Sequence, residues 1–248
     1  MTDPVRIDAQ GLHYTPLNQQ IRAAIAAGAK EIVIDNVLGQ RFIGDGIRGQ
    51  GVTLTVNGVP GGDLAMFMSG PTIIVHGNAD HAPGNTMDMG NVIIHGGAGD
   101  AVAHSMRGGS VYVRDNIGYR GGIHMKQYLE KRPILVVGGA ARAFLGEYMA
   151  GGLLIVLGLT GVPPVAERGC GSGIHGGEIF VRGVVNTKDL GVGAQQMPAT
   201  QVQMTRIQPV IEDFARTFGI DPTPLISSEY SRISPASARP FANKYTWE

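Results

Sequence analysis

The feature that most constrains this sequence is an internal repeat of 19 residues. Four methionines recur at that interval: Met68, Met87, Met106 and Met125. Short bursts of β-branched and aliphatic residues keep the same step at 72–76, 91–95 and 110–114, and copies with insertions follow at 134–138, 153–158 and 178–183. A unit this short cannot bury a core alone, so the copies must stack on one another.

Each copy has the pattern of two short strands separated by glycine turns, and stacked copies pair strand with strand at about 4.8 Å. The chain holds 38 glycines. Glycine costs about 1 kcal/mol inside a helix, which argues against a helix-based solenoid. The six-residue subperiod of a left-handed hexapeptide helix is missing. The sequence therefore predicts an all-β fold, a single-stranded right-handed parallel β-helix with coils of about 19 residues and short helical flanks.

Glycine also marks the limits of the repeat, because 37 of the 38 glycines lie at or before Gly193. We therefore predict three regions: an N-terminal cap with a short helix over 1–29, the β-helix over 30–193, and a C-terminal helix with an extended tail over 194–248.

Both flanks have a helical pattern. Asn18–Ala27 lies between Pro16 and Gly28, and Thr200–Phe218 carries apolar residues at helical spacing. The N-terminal helix is expected to cover one end of the stack. The C-terminal segment is expected to bind a partner or cap the other end, and its removal should leave the β-helix folded.

Composition excludes several classes of function. Lys plus Arg and Asp plus Glu number 20 each, so a neutral chain lacks the basic surface that binds nucleic acid or anionic membranes. The single cysteine, Cys170, rules out internal disulfides, Cys-ligated iron–sulfur clusters and multi-cysteine zinc sites. We find neither an apolar run of the roughly 18 residues that span a membrane nor a signal-peptide pattern. A cytoplasmic chain is expected.

The histidines offer a weak case for a metal site. His76 and His95 occupy equivalent positions in successive copies, so their rings should lie some 5 Å apart. A third ligand is missing, because the neighbouring copies place Asn57 and Arg114 there. A polar ladder is the preferred interpretation. His104, His124 and His175 lie beside turns, with no carboxylate at a consistent offset.

Cys170 lies inside the cluster Gly169–Gly173, whose backbone N–H groups could hold an anion, with His175 five residues on. A small packing residue among turn glycines is the preferred interpretation over a catalytic thiol. Repeating carboxylates at comparable turn positions are expected to cap turn N–H groups and not to bind calcium. They are Asp63, Asp80 and Asp100. We predict no catalytic, cofactor-binding or metal-binding residue in this chain.

Four ordered blocks resemble the GXGXG domain at the C-terminus of the glutamate synthase large subunit. They are Asp100–Gly109, Asn116–Lys126, Phe144–Gly152 and Gly171–Gly183. The resemblance covers roughly 30–185, the literal pattern stands at Gly169–Gly173, and the tail 234–240 is similar to that of separately encoded members. The residues of the family motif, expected to be structural, are Gly108, Gly109, Gly151, Gly152, Gly169, Gly171, Gly173, His175, Gly176 and Gly177.

The resemblance implies a right-handed β-helix without an active site of its own. It implies a structural subunit of a multi-chain glutamate synthase or N-methylglutamate synthase, which holds a glutamine-amidotransferase-like subunit against a synthase subunit. FMN and the iron–sulfur cluster are expected on that synthase partner, and no cofactor is expected in this chain. The amine that the complex would use, ammonia or methylamine, is a property of the other chains.

Two alternatives stay open. The non-catalytic β-helical subunit of formylmethanofuran dehydrogenase, or of the related formyltransferase/hydrolase complex, shares the Gly-Gly-strand repeat, although the blocks Gly122–Lys126 and Gly146–Met149 are more similar to glutamate synthase. An independent ligand- or carbohydrate-binding β-helix would need an exposed aromatic stripe. Seven Phe, seven Tyr and one Trp, with Trp247 in the tail, do not supply one.

Overall fold

Nine strands pair in parallel in chain order, each with the strand of the next coil, in a computed structural model that describes residues 3–237. The end of the predicted tail motif (238–240) and Trp247 lie outside the described residues. The parallel strands are β1 (Val5–Asp8), β2 (Glu31–Leu38), β3 (Thr53–Val59), β4 (Ser69–His76), β5 (Met89–Ile94), β6 (Ser110–Val113), β7 (Ile134–Val137), β8 (Ala150–Val156) and β9 (Gly176–Arg182). The remaining elements are α1 (Tyr14–Ala26), a short 3-10 helix (Thr187–Asp189), β10 (Ala194–Pro198), α2 (Gln201–Phe218), α3 (Thr223–Ile226) and β11 (Tyr230–Pro235).

The register of the sheet confirms the predicted parallel β-solenoid. Ile73 of β4 pairs with Leu54 on one side and with Val92 on the other, so equivalent positions of successive copies lie side by side. None of the helices in the described residues is long and apolar enough to cross a membrane.

The methionines that define the repeat lie inside the stack. Met68, Met87, Met106 and Met125 are fully buried, and Met149 continues the row in a longer coil. Inward-facing Ile, Leu and Val side chains of the strands complete this interior. Because each fully buried apolar side chain contributes about 1.5–3 kcal/mol, the ladder of the interior stabilises every coil through its neighbours.

Each coil carries one strand, so the predicted two strands per copy are corrected. The second stretch is a run of turns in which every other residue adopts a left-handed conformation with positive φ. In one coil these residues are Ala101, Ala103 and Ser105, with φ of 57°, 58° and 52°. We call this run the turn layer; it covers the side of the interior that the sheet leaves open.

The turn layer, like the sheet, is hydrogen-bonded between coils. The N–H of Ser105 donates to the carbonyl of Ile123 (2.9 Å) in the next coil. The N–H of Ala103 donates to the carbonyl of Pro83 (2.8 Å) in the preceding coil. The N–H groups of successive left-handed residues therefore point to opposite neighbouring coils, whereas the intervening N–H of His104 donates within its own turn, to Ala101 (3.1 Å). These bonds offset the 1–2 kcal/mol that a left-handed residue costs.

The first coil starts before the predicted boundary at residue 30. Strand β1 pairs with β2, and α1 forms the connection between them. Leu17 and Ile21 of α1 are fully buried in the interior. The Asn18 side chain donates to the carbonyl of Arg41 (3.0 Å) in the turn layer of the adjoining coil. Helix α1 thus lies against the N-terminal end of the stack.

Helix α2 packs on the outside of the sheet and not on an end of the stack. Partner binding by this segment stays a prediction. The bounds of α2 agree with the predicted 200–218: Thr200 caps its start through Gln203, and Gly219 ends it at φ 66°. A second apolar cluster joins it to outward-facing side chains of four strands. The cluster includes Ile207, Ile211, Phe214 and Ala215 of the helix, and Tyr112, Val136, Leu153, Ile155 and Phe180 of these strands.

Polar contacts fix the same helix to the sheet. Glu178 of β9 accepts hydrogen bonds from Arg206 of α2 and from Arg232 of β11 (2.6 Å). Burial alone would raise the pKa of the Glu178 carboxyl, but the two guanidinium groups outweigh it and hold the pKa below its usual range. The Tyr112 hydroxyl donates to Asp213 (3.0 Å).

The C-terminal segment closes the sheet instead of extending from it. Strand β11 pairs antiparallel with β9, and β10 pairs antiparallel with β11. The outermost strand, β10, ends at Pro198, which has no N–H to offer a further strand. Because this segment belongs to the sheet and to the second cluster, its removal would expose apolar surface. The expectation that it could be deleted without loss of the β-helix is therefore not supported.

We expect Met106→Ala to lower the free energy of unfolding by about 2–5 kcal/mol, because it opens a cavity between two coils. Met89, which is 39% exposed at the start of β5, is the matched control, and Met89→Ala should change stability by less than about 0.5 kcal/mol. Chemical denaturation followed by far-ultraviolet circular dichroism measures both. Equal losses in the two variants would contradict the buried ladder.

We expect Phe214→Ala to cost about 3–5 kcal/mol, because its ring fills the contact between α2 and the sheet. Val202 lies on the same helix and is 80% exposed, so Val202→Ala should be close to neutral. Thermal unfolding should show a lower midpoint for Phe214→Ala alone. An unchanged midpoint would mean that the helix does not stabilise the sheet.

Candidate functional site

A groove crosses four successive coils at the bend where the turn layer leads into the sheet. One residue from each coil forms its row: Arg107, Lys126, Ala150 and His175. Their equivalence is set by the backbone, because each N–H donates to the carbonyl of the buried methionine one coil earlier. The acceptors are Met87, Met106, Met125 and Met149. The groove has a volume of about 300 Å³.

A second row, from the turn layer, lines the other side of the groove. Ser105, His124 and Tyr148 occupy equivalent left-handed positions with φ of 52°, 55° and 52°. The His124 and Tyr148 rings stack with centroids 5.3 Å apart and planes inclined by 14°. Non-glycine residues in this conformation are uncommon, and each carries a strain of roughly 1–3 kcal/mol. The left-handed conformation directs these three side chains outward, where they line the groove.

The groove is electropositive. Arg107 and Lys126 are exposed and make no ion pair with any residue between 3 and 237. Farther along the row, Asp88 is already neutralised by Lys131 (2.7 Å), which holds the pKa of the Asp88 carboxyl below its usual range. Glu147, a largely buried residue of the turn layer, pairs with Arg120 (3.0 Å). The two cations therefore face solvent uncompensated.

The structure places only some of the candidate turn histidines in the groove. His104 contacts Asn85 (3.2 Å) and lies 6.1 Å from the His124 ring, and partial burial, then the nearby His124, lowers the pKa of His104. His175 contacts the carbonyl of Gly173 (3.1 Å) at the end of the groove. Of the three turn histidines, the structure brings two, His124 and His175, into the groove.

His76 and His95 lie side by side outside the groove, with ring centroids 5.0 Å apart, as predicted, and ring planes inclined by 38°. His95 also contacts Phe218 at the end of α2 (5.1 Å). Partial burial, then the adjacent His76, lowers the pKa of His95. Within the described residues, no group of three or more His, Cys, Asp or Glu side chains is placed to hold a metal ion.

Cys170 lies in the interior and not in a site. It occupies the position of Leu145 one coil earlier, and its side chain is fully buried. Burial, with a smaller contribution from Asp189, raises the pKa of the thiol to about 12. Full burial and a raised thiol pKa disfavour the thiolate and agree with the interpretation of Cys170 as a packing residue.

The cluster Gly169–Gly173 is the turn layer of the last complete coil. Its three glycines occupy the left-handed positions that Phe144, Gly146 and Tyr148 hold one coil earlier. The N–H groups of Cys170, Gly171, Ser172 and Gly173 all donate to backbone carbonyls within the stack. They are therefore not available to an anion, and the predicted anion-binding capacity of this cluster is corrected.

The glycine pairs of the family motif lie where one coil touches the next. A Cβ on Gly176 would lie 2.5 Å from the carbonyl oxygen of Ala150, and Gly177 has φ 78°. The same arrangement, close approach and then positive φ, recurs at Gly108–Gly109 and Gly151–Gly152.

The three aspartates do not occupy comparable positions, contrary to the prediction. Asp63 is itself a left-handed residue (φ 62°) and pairs with Arg41 (3.2 Å). Asp100 accepts a hydrogen bond from the N–H of Tyr119 (2.8 Å), which is the capping role that was expected. The exposed Asp80 lies beside His81, 3.5 Å away.

Sequence reasoning missed the groove, although a signal was present. Arg107 and Lys126 each follow directly after a repeat methionine. The residue after a buried methionine faces outward, so the position of Arg107 and Lys126 one residue after Met106 and Met125 could have predicted a row of positive charge on the surface. The strained positions of Ser105 and Tyr148 could not, because neither residue type indicates a left-handed conformation.

Comparison with known proteins gives a family and a fold. The family model described as "GXGXG motif" matches residues 17–238. The uncharacterized protein MJ1350 of Methanocaldococcus jannaschii is 52% identical over 253 residues, which cover 98% of this chain and 97% of that protein. A chain of the formyltransferase/hydrolase complex (FhcABCD) from Methylorubrum extorquens, solved with methylofuran, aligns with a TM-score of 0.65 at 17% identity, covering 96% of this chain and 94% of its own.

We expect the Cys170 thiol to resist alkylation by iodoacetamide in the folded protein and to react fully in concentrated guanidinium, because burial suppresses the thiolate. The control is a Cys170→Ala/Ser227→Cys double variant, since Ser227 is exposed. It should be alkylated rapidly in the folded state. Mass spectrometry measures both, and rapid labelling of the native wild-type protein would contradict the buried position.

Proposed function

Since this chain belongs to the GXGXG motif family, we propose that it is a structural subunit of a glutamate-synthase-like complex. In this proposal it holds a glutamine-amidotransferase-like subunit at a fixed distance from a synthase subunit that carries FMN and an iron–sulfur cluster. The complex would be a glutamate synthase or an N-methylglutamate synthase. The chain itself supplies no reacting group.

The observation that carries the proposal is the unbroken stack of coils. Eight steps of about 4.8 Å separate β1 from β9, so the sheet is a spacer about 38 Å long. Both layers are hydrogen-bonded from coil to coil, and the interior is filled by apolar side chains throughout. A body of this kind lacks hinges and keeps two attached subunits in a constant relation.

The positions of the family-motif residues support a structural role. The glycine pairs allow one coil to approach the next, and the glycines at 169–173 occupy left-handed positions. These are requirements of the backbone and not of a reaction. The single cysteine lies inside the stack, so an iron–sulfur cluster, which needs cysteine ligands, belongs on another chain in this proposal.

A second candidate function has an observation in its favour. The fold is shared over 96% of this chain with a chain of a formyltransferase/hydrolase complex. The chain would then be a structural subunit of such a complex, or of a formylmethanofuran dehydrogenase. At 17% identity the likeness concerns the fold alone. The blocks Gly122–Lys126 and Gly146–Met149 keep the glutamate-synthase proposal first.

An affinity pull-down of the tagged protein from its native source, with mass spectrometry of the recovered chains, separates the candidates. We expect an amidotransferase-like chain and a flavin- and iron–sulfur-containing chain in stoichiometric amounts. Assay of that complex with ammonia and with methylamine then chooses between the two synthases. Recovery of formyltransferase or molybdenum or tungsten dehydrogenase chains would overturn the first proposal in favour of the second. Recovery of the chain alone would overturn both.

A further inference from the structure

Neither the apolar interior of the stack nor the packing of helix α2 involves the side chains of Arg107 and Lys126 in the electropositive groove. Its cations project from the solenoid at a point where no described carboxylate reaches them. Among the other Arg and Lys side chains between residues 3 and 237, most do have an acidic neighbour: Arg41 pairs with Asp63, and Arg142 pairs with Glu167. Arg107 and Lys126 lie on adjacent coils, so their charges reinforce one another.

The shape of the groove fits an extended chain. Its row spans three coil steps of about 4.8 Å, or roughly 14 Å, which is the length of about four residues in extended conformation. Ala150 interrupts the row with a short side chain between Lys126 and His175 and so leaves space there. The groove is open along its length, whereas a small-molecule site encloses most of its ligand.

Exposed apolar residues follow Lys126 of the groove directly in the chain. A small hairpin, residues 127–132, leaves the coil directly after Lys126 and is closed by pairing of Tyr128 with Lys131. Its tip exposes Tyr128 (63%) and Leu129 (74%). An exposed tyrosine and leucine two and three residues after Lys126 offer an apolar anchor next to charge, and tyrosine is enriched among the residues that dominate protein interfaces.

We propose that this groove is a docking surface for an acidic, extended segment of a partner subunit. Carboxylates of the segment pair with Arg107 and Lys126, its backbone or side chains lie over Ala150 and the stacked His124–Tyr148 rings, and an apolar residue packs on the hairpin tip. This inference rests on the proposed function, because it requires a partner chain.

The test compares two charge-reversal variants in the same pull-down. Arg107→Glu/Lys126→Glu reverses the groove, and Lys30→Glu/Lys188→Glu applies the same change in net charge at two lysines outside it. We expect the groove variant to recover one partner at least about tenfold less, since like charges across an interface repel. The control variant should recover all partners as the wild type does. Matching thermal unfolding curves establish that both variants are folded.

A zero-length carbodiimide cross-linker, which joins lysine amines to carboxylates in contact, gives a second readout on the assembled complex. We expect a cross-link from Lys126 to an Asp or Glu of a partner, identified by mass spectrometry. Equal recovery by both variants, or cross-links from Lys126 only within this chain, would overturn the groove assignment and leave the proposed function standing. If the wild-type chain recovers no other chain, the proposed function fails and this inference fails with it.

Discussion

Backbone hydrogen bonding between neighbouring coils is the constraint on which the rest of this structure depends. In the sheet it takes the usual parallel form. In the turn layer it requires alternate residues to be left-handed, so that the N–H groups of successive left-handed residues point toward opposite neighbouring coils, as at Ala103 and Ser105. Once both layers are paired, side chains at fixed offsets face inward and form the methionine and aliphatic ladders. Composition follows from this: glycine is frequent where left-handed backbone or close contact between coils requires it.

Much of the fold can be predicted from the sequence, because a repeat transmits one local pattern to every coil. The strands at 72–76, 91–95 and 110–114 and the helix at 200–218 fall where periodicity indicates. The turn layer could not be predicted, because residues such as Thr86 and Tyr148 have no preference for positive φ. The short strands β10 and β11 could not either, since their pairing depends on contacts across the chain.

The packing of α2 was missed for a different reason. Strands that face solvent on one side alternate polar and apolar residues, as Thr53–Val56 does. Strands buried on both faces form continuous apolar runs, as Ile134–Val137 and Leu153–Val156 do. That change of pattern along the repeat indicates a covered outer face. The groove could be predicted only in part. The offset of Arg107 and Lys126 from the methionines places them outside the stack, but their lack of acidic neighbours among the described residues is a property of the folded chain.

The hairpin at 127–132 has a consequence for how such a chain can change over evolutionary time. It lengthens its coil, so that 24 residues separate Lys126 from Ala150 where 19 separate Arg107 from Lys126, yet the strands on either side stay adjacent in the sheet. Insertions within a coil therefore alter only the relief of the surface. Gain or loss of a complete coil instead changes the axial length in a step of one strand spacing. The surface that a partner contacts and the axial length of the stack can thus vary independently of each other in a solenoid of this kind.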